Sequence, residues 1–178
     1  LKALGKPYAD NLRHLGFGLI SLEEGRLSTR AGRVLLLEDV VNDCIKFALE
    51  EVKKRQEYSE ADAEKIARAV GVSALKYSIL RIQAEKDITF KLRDAVRFDG
   101  NTAAYLQYTA VRAKNILAKA AGEKNNKEEA GSTEGYRFNA AERRLVGMLA
   151  QFPSVCENAA RNFSPATLCN YLFEFAAK

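Results

Sequence analysis

Residues Thr102 to Ala121 read "TAAYLQYTAVRAKNILAKAA", the longest stretch of the chain with one unbroken helical period and neither proline nor glycine inside it. At 100° per residue, Tyr105, Tyr108, Arg112, Asn115 and Lys119 fall within an arc of roughly 80°. Leu106, Ala110, Ala113 and Leu117 fall on the far side. The period therefore predicts a long helix with one face in a core. The other face is a ladder of two aromatic rings, a guanidinium, an amide and an ammonium. Rings on which unpaired bases stack, interleaved with cations for the intervening phosphates, are what single-stranded nucleic acid requires.

Other helices follow on both sides. Val41, Ile45, Ala48, Leu49 and Val52 share one face of a helix running to about Arg55. Ser59, with Asp62 three positions on, caps a second helix through Ile66 and Val70, which Gly71 is expected to end. Val72 to Ile82 then reads as a third helix, and the alternation Ile88, Phe90, Leu92 as a half-exposed strand. Asp99-Gly100-Asn101 reads as a turn capping the long helix. Beyond it, "GEKNNKEEAGSTEG" (122–135) has nothing large to bury and reads as a surface linker. Asn139 with Glu142 caps a helix with Leu145, Val146, Met148, Leu149 and Phe152 on its apolar face. Pro153 is expected to open a further helix, and Ser164-Pro165 the last one, whose Leu168, Leu172 and Phe175 still present an apolar face where the chain stops.

The front differs. "HLGFGLIS" (14–21) is a short apolar run read as a buried strand, and "VLLLEDV" (34–40) is a second apolar run. The fold class expected is mainly α: a helical bundle with a small α/β front segment.

Composition narrows the chemistry. No run approaches the length of a membrane span, and "LKALGKPYAD" is neither a signal peptide nor an initiator start, so the chain reads as an excerpt from a longer, cytoplasmic protein. Cys44, Cys156 and Cys169 have no pairing rhythm and read as reduced thiols, with no disulfide-linked partner. His14, the one histidine, is read as structural; it leaves little from which to build a zinc site or a histidine-based triad, and no protein-bound metal is expected. The net charge of +5 is uneven, with basic ends around an acidic middle, which suits a polyanion gripped at two places.

The second grip is "GRLSTRAGR" (25–33), which packs two glycines, two hydroxyls and three arginines into nine residues. Its spacing is not that of a P-loop; an open basic loop that folds over a polyphosphate suits it better. In its setting, "HLGFGLISLEEGRLSTRAGRVLLLEDV", the segment resembles the Lys-Met-Ser-Lys-Ser-type loop region of class I arginyl-tRNA synthetases. "VGVSALKYSILR" (70–81) and "FDGNTAAYLQYTAVR" (98–112) resemble two further signatures of that family, in the family's order.

The resemblance implies arginine–tRNA ligase activity, with ATP and arginine as substrates, Mg2+ accompanying the ATP, and tRNA-Arg as partner. It implies that the loop stabilises charge on the pyrophosphate of ATP: Arg26 stands for the first lysine of the motif, Leu27 for the methionine, Ser28 is kept, Thr29 stands for the second lysine, and Arg30 supplies a neighbouring charge. Tyr105, Tyr108 and Arg112, with Asn115 and Lys119 further along, are the implied contacts to the anticodon loop, while Gln107 is expected to fix the domain junction. Arg143, Arg144 and Arg161 read as a solvated face. The expected division is 1–37 for the end of the catalytic domain, 38–92 for a connecting α/β layer, and 93–178 for an incomplete anticodon-binding bundle. The excerpt would be inactive by itself. The alternative is a stand-alone RNA-binding or protein-interaction helical module without catalysis, which would use the ladder and have no purpose for the loop.

Overall fold

A computed structural model describes residues 1–22, 36–54, 58–123 and 135–178. Among these, two 3-10 turns at Lys2–Leu4 and Ala9–Asn11 precede strand β1 (Ile20–Leu22). Helices α1 (Leu37–Lys53) and α2 (Glu60–Leu80) follow, then β2 (Ile88–Phe90) and the short α3 (Leu92–Ala95). The remaining helices are α4 (Ala103–Glu123), α5 (Ala140–Arg161) and α6 (Pro165–Ala176). The mainly α architecture with a small α/β front is as the sequence implies.

The α1–α2 pair forms the main core. Val40, Cys44, Ala48 and Val52 are the buried line of α1. Val40, Cys44 and Ala48 meet Ala67, Val70, Ala74 and Leu75 of α2, with Ile88, Phe90, Val96 and Ala104 closing the cluster. Small residues on both helices let the axes come close, and Gly71 sits where the backbones are in near contact. A Cβ there would stand 2.7 Å from the backbone N and Cα of Ile45. Gly71 therefore does not end a helix: α2 runs through it unbroken, because the residue serves the contact with α1 rather than a C-cap.

The front strand is shorter and wetter than expected. β1 pairs with β2 in parallel, Ile20 opposite Ile88 and Leu22 opposite Phe90. Phe17 and Leu19 before it are 85% and 70% exposed, so "HLGFGLIS" is not a buried strand among the described residues. Its glycine still has a reason. Gly18 N–H donates to the Ala84 carbonyl at 2.7 Å, and a Cβ on Gly18 would collide with the Lys86 carbonyl.

The cap at Ser59 forms as read, its Oγ accepting from Asp62 N–H at 3.2 Å. So does the reciprocal box of Asn139 and Glu142 on α5. Pro153 does not open a helix; it lies inside α5. The N–H it removes would have bonded the carbonyl of Leu149, a residue 54% exposed, so water can take that place and the helix continues. Residues 124–134 of the expected linker lie outside the described residues.

Candidate nucleic-acid interface

α4 starts at a worked corner. Arg97 binds the Asp99 carboxylate through Nε at 2.9 Å and a second guanidinium nitrogen at 2.7 Å, which holds that carboxyl below its ordinary range. Gly100 turns the chain in the left-handed region at φ 72°. Thr102, rather than the turn before it, caps the helix: its Oγ1 accepts from Tyr105 N–H at 3.2 Å and donates to the Arg97 carbonyl at 2.7 Å.

The first turns of α4 are locked to its neighbours. Ala103 and Leu106 pack with Tyr77 of α2 and Cys169 of α6. The Tyr77 hydroxyl lies 2.6 Å from Asn101 Oδ1 and 3.1 Å from the Cys169 carbonyl. Burial raises the pKa of that phenol to about 12, helped by Cys169 and opposed by Arg81. Gln107 Nε2 donates to Ser73 Oγ of α2 at 3.0 Å, which ties α4 to α2. Tyr77 and Ser73 belong to one signature stretch, and Asn101 and Gln107 to another, so the two stretches meet in space. No sequence signal singled out Tyr77, because a lone tyrosine on an apolar helix face looks like packing.

The ladder separates into two parts. Tyr105 is half-buried rather than free. Its ring meets Phe173 edge-on at 5.8 Å, and its hydroxyl donates to the Ala176 carbonyl at 3.2 Å. The reason is local: the last turn of α6 leaves carbonyls without helical partners, and the Tyr105 phenol reaches one of them. Tyr108, one turn on, is 41% exposed, and the Arg112 guanidinium lies over its ring at 5.5 Å. Asn115 and Lys119 continue this face and are exposed. The expected core face fails beyond Leu106, since every residue from Ala110 to Gly122 is exposed and Leu117 is 70% so. α4 packs on α2 and α6 near its start, and the described residues put no cover over the rest.

Of the other sequence candidates, Arg26, Leu27, Ser28, Thr29 and Arg30 lie outside the described residues. Arg143 and Arg144 are exposed, and Arg161 is held by Glu157 at 2.6 Å. His14 is exposed. Cys44 and Cys169 are buried and Cys156 half-buried; burial, reinforced by Asp43, lifts the Cys44 thiol to about 11. Among the described residues no cluster of three His, Cys, Asp or Glu side chains could hold a metal ion. Among the same residues no helix is long and apolar enough to cross a membrane.

Residues 1–92 match the family described as tRNA synthetases class I (R), catalytic domain, and residues 106–178 match the DALR anticodon binding domain. The chain belongs to the arginyl family of class I tRNA synthetases. Over 183 residues it is 34% identical to the arginine–tRNA ligase of Phocaeicola vulgatus, covering 98% of this chain and 29% of that protein. With the arginine–tRNA ligase of Levilactobacillus brevis it shares 34% identity, covering 99% of this chain and 30% of the relative. It thus spans about a third of these relatives' length. Thermus thermophilus arginyl-tRNA synthetase superposes with a TM-score of 0.78 at 27% identity, over 92% of this chain and 26% of that one. Plasmodium falciparum arginyl-tRNA synthetase, at 19% identity and a TM-score of 0.69 over 92% of this chain and 27% of that one, shares the fold.

Proposed function

We propose that this chain is the part of an arginine–tRNA ligase that carries the ATP-closing loop and receives the anticodon loop of tRNA-Arg. The ligase joins arginine to tRNA-Arg at the expense of ATP, in the cytoplasm. Residues 1–37 would end the catalytic domain, 38–92 connect it, and 93–178 belong to the anticodon-binding bundle. The observation that carries this reading is the exposed pair Tyr108 and Arg112, stacked at 5.5 Å on a helix within the stretch that matches an anticodon-binding domain. Tyr108 offers a face for an unpaired base, and Arg112 a charge for the adjoining phosphate. Asn115 and Lys119 extend the track. Tyr105 acts as a positioning residue: it ties the start of α4 to α6, so that Tyr108 is presented from a fixed helix.

On the loop, Arg26, Leu27, Ser28 and Thr29 would engage ATP, with Arg26 and Ser28 meeting its phosphates. Arg30 would supply the charge that Thr29 lacks. Mg2+ would arrive with ATP and neutralise its phosphates. The 178 residues alone would bind RNA without catalysing the reaction.

Nuclease footprinting of tRNA-Arg on the whole ligase tests the assignment. Protection of the anticodon loop, lost in Tyr108→Ala, is the expected result; protection confined to the acceptor end contradicts it. In the same enzyme Arg30→Ala should slow arginine-dependent ATP–pyrophosphate exchange by about 100-fold, the scale of one transition-state donor. An unchanged exchange rate removes Arg30 from the mechanism.

A further inference from the structure

Just ahead of α5, two rings in contact both stand in water: Tyr136 is 60% exposed and Phe138 47%. They meet edge-on, with centroids 5.3 Å apart and planes at 82°, so ring faces stay open that a stacked pair would cover. The pair is held in place without being buried. The Tyr136 hydroxyl donates to Glu142 Oε1 at 2.6 Å, while Glu142 Oε2 accepts from Asn139 N–H at 2.8 Å in the capping box. Single exposed rings are commonplace. Two in contact, one of them pinned by the cap of a 22-residue helix, form a platform ordered before anything binds.

The surroundings say what such a platform suits. Residues 136–144, "YRFNAAERR", hold three arginines against one carboxylate, and that carboxylate is the Glu142 already engaged through both oxygens. Apart from the two rings they hold no apolar side chain larger than alanine, so the continuous apolar centre that a protein partner buries is missing. Phe138 precedes the N-cap and Arg143 is the fourth helical residue, two positions that stand side by side at a helix start. Arg143 is exposed there, and Arg144, a further 100° round, lies towards the other side of α5. The level along the bundle also agrees. α5 folds back on α6 through residues 162–164, and the Tyr171 hydroxyl donates to the Met148 carbonyl at 2.7 Å. The first turn of α5 therefore stands roughly 10 Å beyond that contact, towards the C-terminal end of α6. α4 passes Cys169 at Ala103 and Ala176 at Tyr105, so Tyr108 and Arg112 follow at the same end.

We propose that Tyr136 and Phe138, with Arg143 beside them, receive unpaired nucleotides of bound RNA adjoining those at Tyr108. A base would stack on the open ring faces, and the guanidinium would meet the neighbouring phosphate. The inference rests on the RNA-binding reading above and extends it from one helix to two.

The test uses the 178-residue chain and the isolated anticodon stem-loop of tRNA-Arg. In the parent chain the Tyr136 ring-proton resonances, assigned by their loss in Tyr136→Leu, should move upfield as the stem-loop is added, the mark of a base over the ring. Tyr136→Leu should weaken binding by about 5-fold or more, the value of one stacked base. Arg143→Gln should lower the log–log salt slope by about 0.7, one single-strand phosphate, and Arg144→Gln should leave it unchanged. Ring resonances unmoved by bound stem-loop, or a Tyr136→Leu variant that binds as its parent does, overturn the proposal; Tyr108→Ala then still judges the contact on α4 by itself. Equal slope losses in Arg143→Gln and Arg144→Gln mean diffuse attraction and overturn the phosphate contact. If the parent chain does not bind the stem-loop, both readings fall together. The parent-chain resonances decide the matter even where Tyr136→Leu loosens the cap.

Discussion

Gly71→Ala puts the close crossing of α1 and α2 at risk. On propensity alone the change should help, since alanine in a helix interior is favoured over glycine by about 1 kcal/mol. The structure reverses the sign. The added methyl would lie 2.7 Å from Ile45 N and Cα and 2.9 Å from the Cys44 carbonyl carbon, all backbone atoms that cannot rotate aside. Ordinary contact begins near 3.4 Å, so α1 must retreat by about 0.7 Å along this seam. A gap of that size forfeits a quarter to a half of the dispersion attraction at each loosened contact. The residues that would loosen, Cys44, Ala48, Ala67 and Ala74, are all fully buried. Overpacking costs about 1–3 kcal/mol, and backbone partners place this case at the top of that range. Offset by propensity, the net loss is about 2 kcal/mol. Urea unfolding followed by circular dichroism measures it, with Gly147→Ala as the control. That glycine lies in α5 with nothing within 4 Å of an added Cβ, so its replacement should stabilise by about 0.5–1 kcal/mol. If Gly71→Ala is as stable as its parent or more so, the close crossing of α1 and α2 is refuted.

Two further outcomes follow from the junction. The folded-state pKa of Tyr77, about 12, lies above the ordinary value of 10.0, so folding favours its protonated form. Its contribution is complete below about pH 10 and is lost as pH climbs from 10 towards 12. Thermal melts should therefore show the parent more stable than Tyr77→Phe at pH 9, with the gap narrowing by pH 11; a gap that widens contradicts the burial argument. Tyr105→Phe removes the hydroxyl from the Ala176 carbonyl and keeps the ring on Phe173. It should cost about 1 kcal/mol of stability and leave the affinity for RNA within twofold, whereas a tenfold loss of affinity at unchanged stability would make Tyr105 a contact rather than a brace.

Much of the fold is legible where the signal is local. Ser59 and Asn139 announce helix starts because capping is settled within three or four residues, Pro165 announces a third from the first turn, and all three starts appear. The alternation around Phe90 likewise marks β2, buried, exposed and buried in turn. The failures share a cause: the deciding partner is distant in sequence. Gly71 looks like a stop until Ile45 of another helix is seen against it. Pro153 looks like a start until the exposure of Leu149 shows that the freed carbonyl can reach water. The site divides in the same way. Periodicity puts Tyr105 and Tyr108 on one face, yet only the position of α6 separates a brace from a free ring.

The central claim is that Tyr108 and Arg112 receive unpaired bases of tRNA-Arg. It is tested most directly by measuring the affinity of the 178-residue chain for an isolated anticodon stem-loop, with an acceptor-stem minihelix for comparison. The stem-loop should bind more tightly, Tyr108→Ala should weaken it by about 5- to 150-fold, the value of one stacked base, and Arg112→Ala should in addition lower the salt slope by about 0.7. Equal affinity for the two RNAs, or a Tyr108→Ala variant that binds the stem-loop as its parent does, would contradict the account.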